Sequence, residues 1–168
     1  DDLYKKGTQL FNSVDFEGAL NCFDSVLKQQ PENSGAWILK LSALLQLGQR
    51  EEAIQSADHI LEKHLMTGEH LATIYLLKGS AQIGLRQFTE GLSTLDECLK
   101  LDSKNITAWT IRAQAFSELK DYQEALESYL RLRELKWTEE TEAMIGMCYL
   151  HLDDTESAEA VFKSLFEG

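Results

Sequence analysis

The side chains best equipped for chemistry in this chain are four histidines, three cysteines and 28 carboxylates, and their spacing decides what they can do. His59, His64, His70 and His151 contain no HExxH and no i, i+4 pair that would set two imidazoles around zinc on one helix face. Cys22, Cys98 and Cys148 are odd in number, far apart and without a CxxC, so they suggest neither a disulfide framework nor a metal knuckle. Each falls in a helical pattern, where a thiol behaves as a small buried hydrophobe. There is no Gly-rich phosphate loop and no GxSxG, and the carboxylates read as solvated surface charges with no buried partner indicated. The expectation is a chain with no catalytic residue, no metal and no cofactor, hence not an enzyme. One charged pattern is regular: Lys6, Lys40, Lys78 and Arg112 recur at intervals of 34, 38 and 34 residues. They could form a basic stripe that meets acidic groups of a ligand. The favoured alternative is that their aliphatic stems pack between helices while the charged heads reach water or neighbouring carboxylates.

The same interval runs through the elements that must carry these residues. Ala19, Ala53, Gly91, Ala125 and Ala158 are separated by 34, 38, 34 and 33 residues, and four residues after each stand Phe23, Ala57, Leu95, Tyr129 and Phe162. A long fixed period signals a solenoid of stacked units. Apolar residues follow helical spacing throughout, and no segment alternates long enough to be a strand. The punctuation predicts ten helices, over 2–14, 17–30, 34–47, 50–65, 69–84, 88–101, 106–119, 122–136, 139–152 and 155–167. Asn33 or Ser34, Asn105 and Thr138 are expected N-caps, and Asp121 with Glu124 is an expected capping box. Pro31, the single proline, should end the second helix. Linkers of about two to four residues make consecutive helices antiparallel, and no domain boundary is evident.

Net charge is −12, which opposes binding to nucleic acid or to an anionic membrane surface. Residues 118–168 hold 13 acidic and 5 basic side chains, a net of −8; a solvated acidic surface is the favoured reading, a basic partner the other. No run is long and apolar enough to span a membrane, so no membrane insertion is expected. No targeting signal is visible, and the free cysteines point to a reducing, cytoplasmic compartment. The absence of an initiator methionine suggests a trimmed or processed chain.

Set in register, the repeats resemble the tetratricopeptide repeat (TPR) family. The first carries Leu3, Gly7, Leu10, Phe16, Ala19, Phe23, Val26 and Pro31; the second Trp37, Leu41, Leu44, Gly48, Ala53, Ala57 and Ile60. The third carries Tyr75, Gly79, Phe88, Gly91, Leu95 and Cys98; the fourth Trp109, Ala113, Phe116, Tyr122, Ala125, Tyr129 and Leu132; the fifth Gly146, Tyr149, Ala158, Phe162 and Leu165. The resemblance implies an all-α fold, a right-handed TPR α-α superhelix of five helix-turn-helix repeats. They cover about 1–33, 34–67, 72–105, 106–138 and 139–168 in one array, with an extra turn or loop at 64–71. Three departures stand out. Leu41 replaces a small residue, so its two helices should lie further apart. Glu142 occupies an early aromatic position, and Thr155 stands where Phe16 and Tyr122 do. The four extra residues around 64–70 should lengthen a helix or kink a loop and change the local curvature.

The resemblance also implies where function sits. First helices of such arrays usually line a concave groove that binds a peptide or helix of a partner protein. The matching positions are Tyr4, Thr8 and Phe11; Ile38, Ser42 and Leu45; Leu76, Ser80 and Ile83; Thr110, Gln114 and Ser117; and Ala143, Met147 and Leu150. This mixed small-polar and apolar surface suits an apolar or amphipathic segment. The carboxylate clamp of heat-shock co-chaperones is not matched: its positions hold Tyr4, Thr8, Leu39, Thr73 and Leu77, with no cation and no Asn. Starting it one repeat later gives Ile38, Ser42, Leu77, Thr107 and Ile111, which fails too. The expected function is a non-enzymatic protein-interaction scaffold. The other readings are a self-association module, with Phe162, Leu165 and Phe166 forming an apolar end, and a regulatory part of a larger, enzymatic protein.

Overall fold

The structure, a computed structural model, describes residues 2–167; Asp1 and Gly168, the outer limits expected for the first and fifth repeats, lie outside the described residues. Those residues form ten helices and no strand. The chain divides after Asp102 into two compact units. The first holds α1 (Asp2–Asn12), α2 (Phe16–Gln29), α3 (Ser34–Gln46), α4 (Arg50–Glu62), α5 (Gly68–Gly84) and α6 (Phe88–Leu101). The second holds α7 (Ile106–Glu118), α8 (Tyr122–Leu135), α9 (Glu139–His151) and α10 (Thr155–Glu167).

Each hairpin is held by a reciprocal exchange of volume between its helices. Where the first helix has Gly7, the second has Phe23; Gly79 faces Leu95 and Gly146 faces Phe162, each so close that a Cβ on the glycine would stand within 3.0 Å of the opposing side chain. In the second hairpin the sizes invert, with Leu41 on α3 and Ala57 on α4, both wholly buried. As expected from Leu41, α3 and α4 make the loosest pairing of any hairpin.

Two kinds of turn alternate. Between the helices of a hairpin the chain passes through one residue of positive φ: Val14, Gly48, Arg86, Lys120 and Asp153 in turn. The next N–H then donates back to the carbonyl five residues earlier, as in Asp15 N to Leu10 O at 2.9 Å and Asp121 N to Phe116 O at 2.9 Å, which satisfies the orphan carbonyls of the helix end. Between hairpins the chain leaves in an extended conformation at Gln30, Asp102 and Lys136, and the next helix is capped by Asn33, Asn105 and Thr138. Asn105 and Thr138 were legible from residue type alone, and the structure selects Asn33 over Ser34. Asp121 does cap α8, accepting from Glu124 N at 3.4 Å. The reciprocal half of the expected capping box is absent: the Glu124 carboxylate instead accepts from Arg112 at 2.9 Å, and the Asp121 N–H is already committed to Phe116.

The four extra residues of the second repeat lengthen a helix. α5 has 17 residues against 13 in α3. α4 ends in a hairpin-type turn through His64, with Leu65 N donating to Ile60 O at 3.1 Å, and the linker beyond it buries Met66 in the core of the first unit.

Among the hairpin turns Val14 is the misfit. It is β-branched, 69% exposed and held at φ 67°, a region that Cβ branching disfavours. Val14→Gly should stabilise the protein by about 1 kcal/mol, and Gly48→Val should destabilise it by a similar amount; both are read from thermal unfolding followed by circular dichroism.

Candidate functional site

Helical periodicity sets the expected partner-facing residues on one face of each first helix. In the first unit these are Tyr4, Thr8 and Phe11 on α1, Ile38, Ser42 and Leu45 on α3, and Leu76, Ser80 and Ile83 on α5, all partly buried. Neighbouring first helices approach closely here, α1 to α3 and α3 to α5. Tyr4, Phe11, Ile38 and Leu45 pack against the core as well as lining the face. Two hydroxyls are turned inward along their own helix: Thr8 Oγ1 donates to Tyr4 O at 2.9 Å and Ser42 Oγ to Ile38 O at 2.8 Å.

The second unit is built differently. Among the described residues α7 and α9 make no close approach, and a cavity of about 380 Å³ lies there. Ile106, Thr110 and Gln114 of α7 form one wall, spaced one turn apart. Tyr129, Leu132 and Lys136 of α8 contribute to the lining, and Thr138, Glu140, Thr141 and Met144 supply the α9 side. Of the expected site residues, Thr110 and Gln114 are brought together here, whereas Met147 and Leu150 stand on open surface, each 44% exposed. The α8 residues and Glu140, Thr141 and Met144 were not foreseen as site residues. The signal for them was the small Thr110 at a register position that holds Tyr4 in the first repeat.

Several of the other chemically equipped residues have structural partners, whereas His64 and His70 are exposed. His59 lies 5.7 Å from the Trp37 ring and His151 stacks on Tyr122 at 4.0 Å; no metal-binding group of His, Cys, Asp or Glu occurs among the described residues. All three cysteines are free and buried. Burial, and secondarily the charge of Asp102, pushes the Cys98 thiol up to about 11, so it stays protonated and unreactive near neutral pH. The cation ladder is largely internal. Lys40 pairs with Asp24 at 2.7 Å and Lys78 with Asp58 at 2.6 Å, each joining a hairpin to the one before it. Arg112 bonds Glu124 at 2.9 Å and Ser128 at 2.5 Å within its own hairpin. Lys6 is exposed.

Two tetratricopeptide repeat models match the chain, over residues 11–75 and 76–140. Human DnaJ homolog subfamily C member 7 is 25% identical over 165 residues, which is 90% of this chain and 33% of that protein. The chain spans 29% to 33% of the length of the first curated relatives it matches. Among solved structures, the MamA protein superposes with a TM-score of 0.84 at 21% identity, covering 98% of this chain and 88% of its own. YrrB, described as a TPR protein with an unusual peptide-binding site, superposes with a TM-score of 0.76 at 16% identity, covering 98% and 84%.

One carboxylate departs from the expectation of solvated surface charges. Glu142 is 6% exposed. Its Oε1 accepts from Arg133 at 3.3 Å, and its buried Oε2 has no partner among the described residues. It occupies the register of Trp37 and Trp109, whose indole N–H groups donate to the carbonyls of Pro31 and Ser103 at 2.7 and 3.0 Å. A buried charge relies on its partner more than a half-exposed one does. Arg133→Met should therefore destabilise by about 1–3 kcal/mol, while Glu142→Met should be neutral or stabilising; urea denaturation of the two variants checks the asymmetry.

Proposed function

Because the chain belongs to the tetratricopeptide repeat family, we propose that it is a non-catalytic scaffold that holds a peptide or helix of a partner protein on the exposed faces of its first helices. The observation that carries this reading is the α7–α9 cavity, whose lining mixes apolar side chains with a few hydroxyl and amide groups, the composition of a site that recognises a segment through side-chain anchors. The partly exposed Leu45, Leu76 and Ile83 extend the same character to the first unit. His59 and His151 lie against aromatic rings and the three cysteines are buried, which supports the non-catalytic part. The net charge of −12 favours a neutral or cationic protein segment over nucleic acid.

A second reading, self-association, draws on Leu150, Leu152 and Phe166, which are 44%, 36% and 87% exposed. Sedimentation over a hundredfold concentration range separates the two: a concentration-independent monomer removes the assembly reading.

Peptides selected by display on the intact chain provide the direct test. Leu45→Glu or Leu76→Glu should weaken them at least tenfold, about 1.4 kcal/mol, with the melting temperature nearly unchanged. Equal binding by both variants and the parent chain would remove the first-helix faces of the first unit as the site.

A further inference from the structure

The α7–α9 cavity has a filled counterpart within the same molecule. In the first unit, Tyr4 reaches from α1 to the start of α3. Its hydroxyl lies 2.6 Å from where a Cβ on Gly35 would stand, and its ring meets Phe23 at 6.1 Å with the planes tilted by 58°. In register, Tyr4 corresponds to Thr110, Phe23 to Tyr129 and Gly35 to Glu140. The second unit keeps an aromatic residue in the cavity lining, Tyr129, of which 5% is exposed, and places Thr110 where Tyr4 stands. Thr110 is too short, and its hydroxyl is turned back to Ile106 O at 2.8 Å. The space left between α7 and α9 is the place of an aromatic ring that this repeat does not supply.

We propose that this slot takes a tyrosine side chain presented by a cationic segment of a partner, a reading that rests on the interaction-scaffold function above. The incoming ring packs against Tyr129 as Tyr4 packs against Phe23, an arrangement aromatic pairs favour. The walls offer acceptors for its phenol. The Thr110 and Thr138 protons are committed to Ile106 O and Thr141 Oγ1, and the exposed Glu140 carboxylate replaces the bare backbone of Gly35. Lys136 is the one cation in the lining. Against it stands Glu140 in the same lining, with the exposed Glu139 beside it in the first turn of α9, and the net charge is −12; these make the flanks of the segment basic.

The test uses the whole chain and two blocked pentapeptides, four lysines flanking a central tyrosine or a central leucine. The ε-methyl signals of the three methionines report position: Met144 lines the slot, and Met66 is buried in the first unit. The tyrosine peptide should shift Met144 and not Met66, and should bind at least tenfold more tightly than the leucine peptide. Thr110→Tyr, which fills the slot as Tyr4 does, should abolish that preference. Glu140→Lys, on an exposed residue, should weaken the tyrosine peptide at least tenfold without altering the fold. Equal binding of the two peptides, no shift of Met144, or unchanged binding to Glu140→Lys would overturn the slot. The scaffold reading is tested separately, by display-selected peptides on the intact chain.

Discussion

The contact between the first and second helix of each hairpin is the constraint on which the rest of the structure depends. Its two members share a fixed volume: Gly7 with Phe23, Leu41 with Ala57, Gly79 with Leu95, Ala113 with Tyr129 and Gly146 with Phe162. Close packing leaves no room for two large residues at this crossing and would leave a void for two small ones. The left-handed turn that joins each pair follows from it. The chain must reverse within three or four residues if the second helix is to bring its large residue opposite the small one. That requirement holds Val14, Arg86, Lys120 and Asp153 at positive φ where glycine would be more comfortable.

Charge then selects among the contacts that packing permits. Lys40 and Lys78 run their stems beside the helices and reach back to Asp24 and Asp58, tying each hairpin to its predecessor in the first unit. Arg112, in the same register, bonds Glu124 and Ser128 of its own hairpin. A guanidinium has more donors than an ammonium and can satisfy two partners at once. Through Glu124 this choice reaches the cap of α8, which relies on Asp121 alone.

The relief of the first-helix faces grows out of small departures from regularity. With Tyr4 on α1 and Gly35 on α3, neighbouring first helices close on one another. With Thr110 on α7 and Glu140 on α9, a cavity remains, based on the aromatic Tyr129 that the hairpin needs for its own core. One residue serves both purposes: Tyr129 belongs to the core of the second unit and also contributes to the cavity lining. A ligand meeting such a surface has little ordering to impose on it.

The helices, their limits and most of their caps were decided by the sequence, because periodicity, Pro31, and Asn or Thr at a helix start act within a few residues of chain. The family and the register followed from the repeat of those local signals. Tertiary structure alone decided that Glu142 is buried against Arg133, that Glu124 serves Arg112 and not its own cap, that Val14 takes a left-handed conformation, and that the first-helix face opens into a cavity at α7 and α9. Each of these depends on which side chain from another helix arrives first at a shared volume or a shared proton. That competition is settled by packing in three dimensions, and spacing along one chain does not encode its outcome.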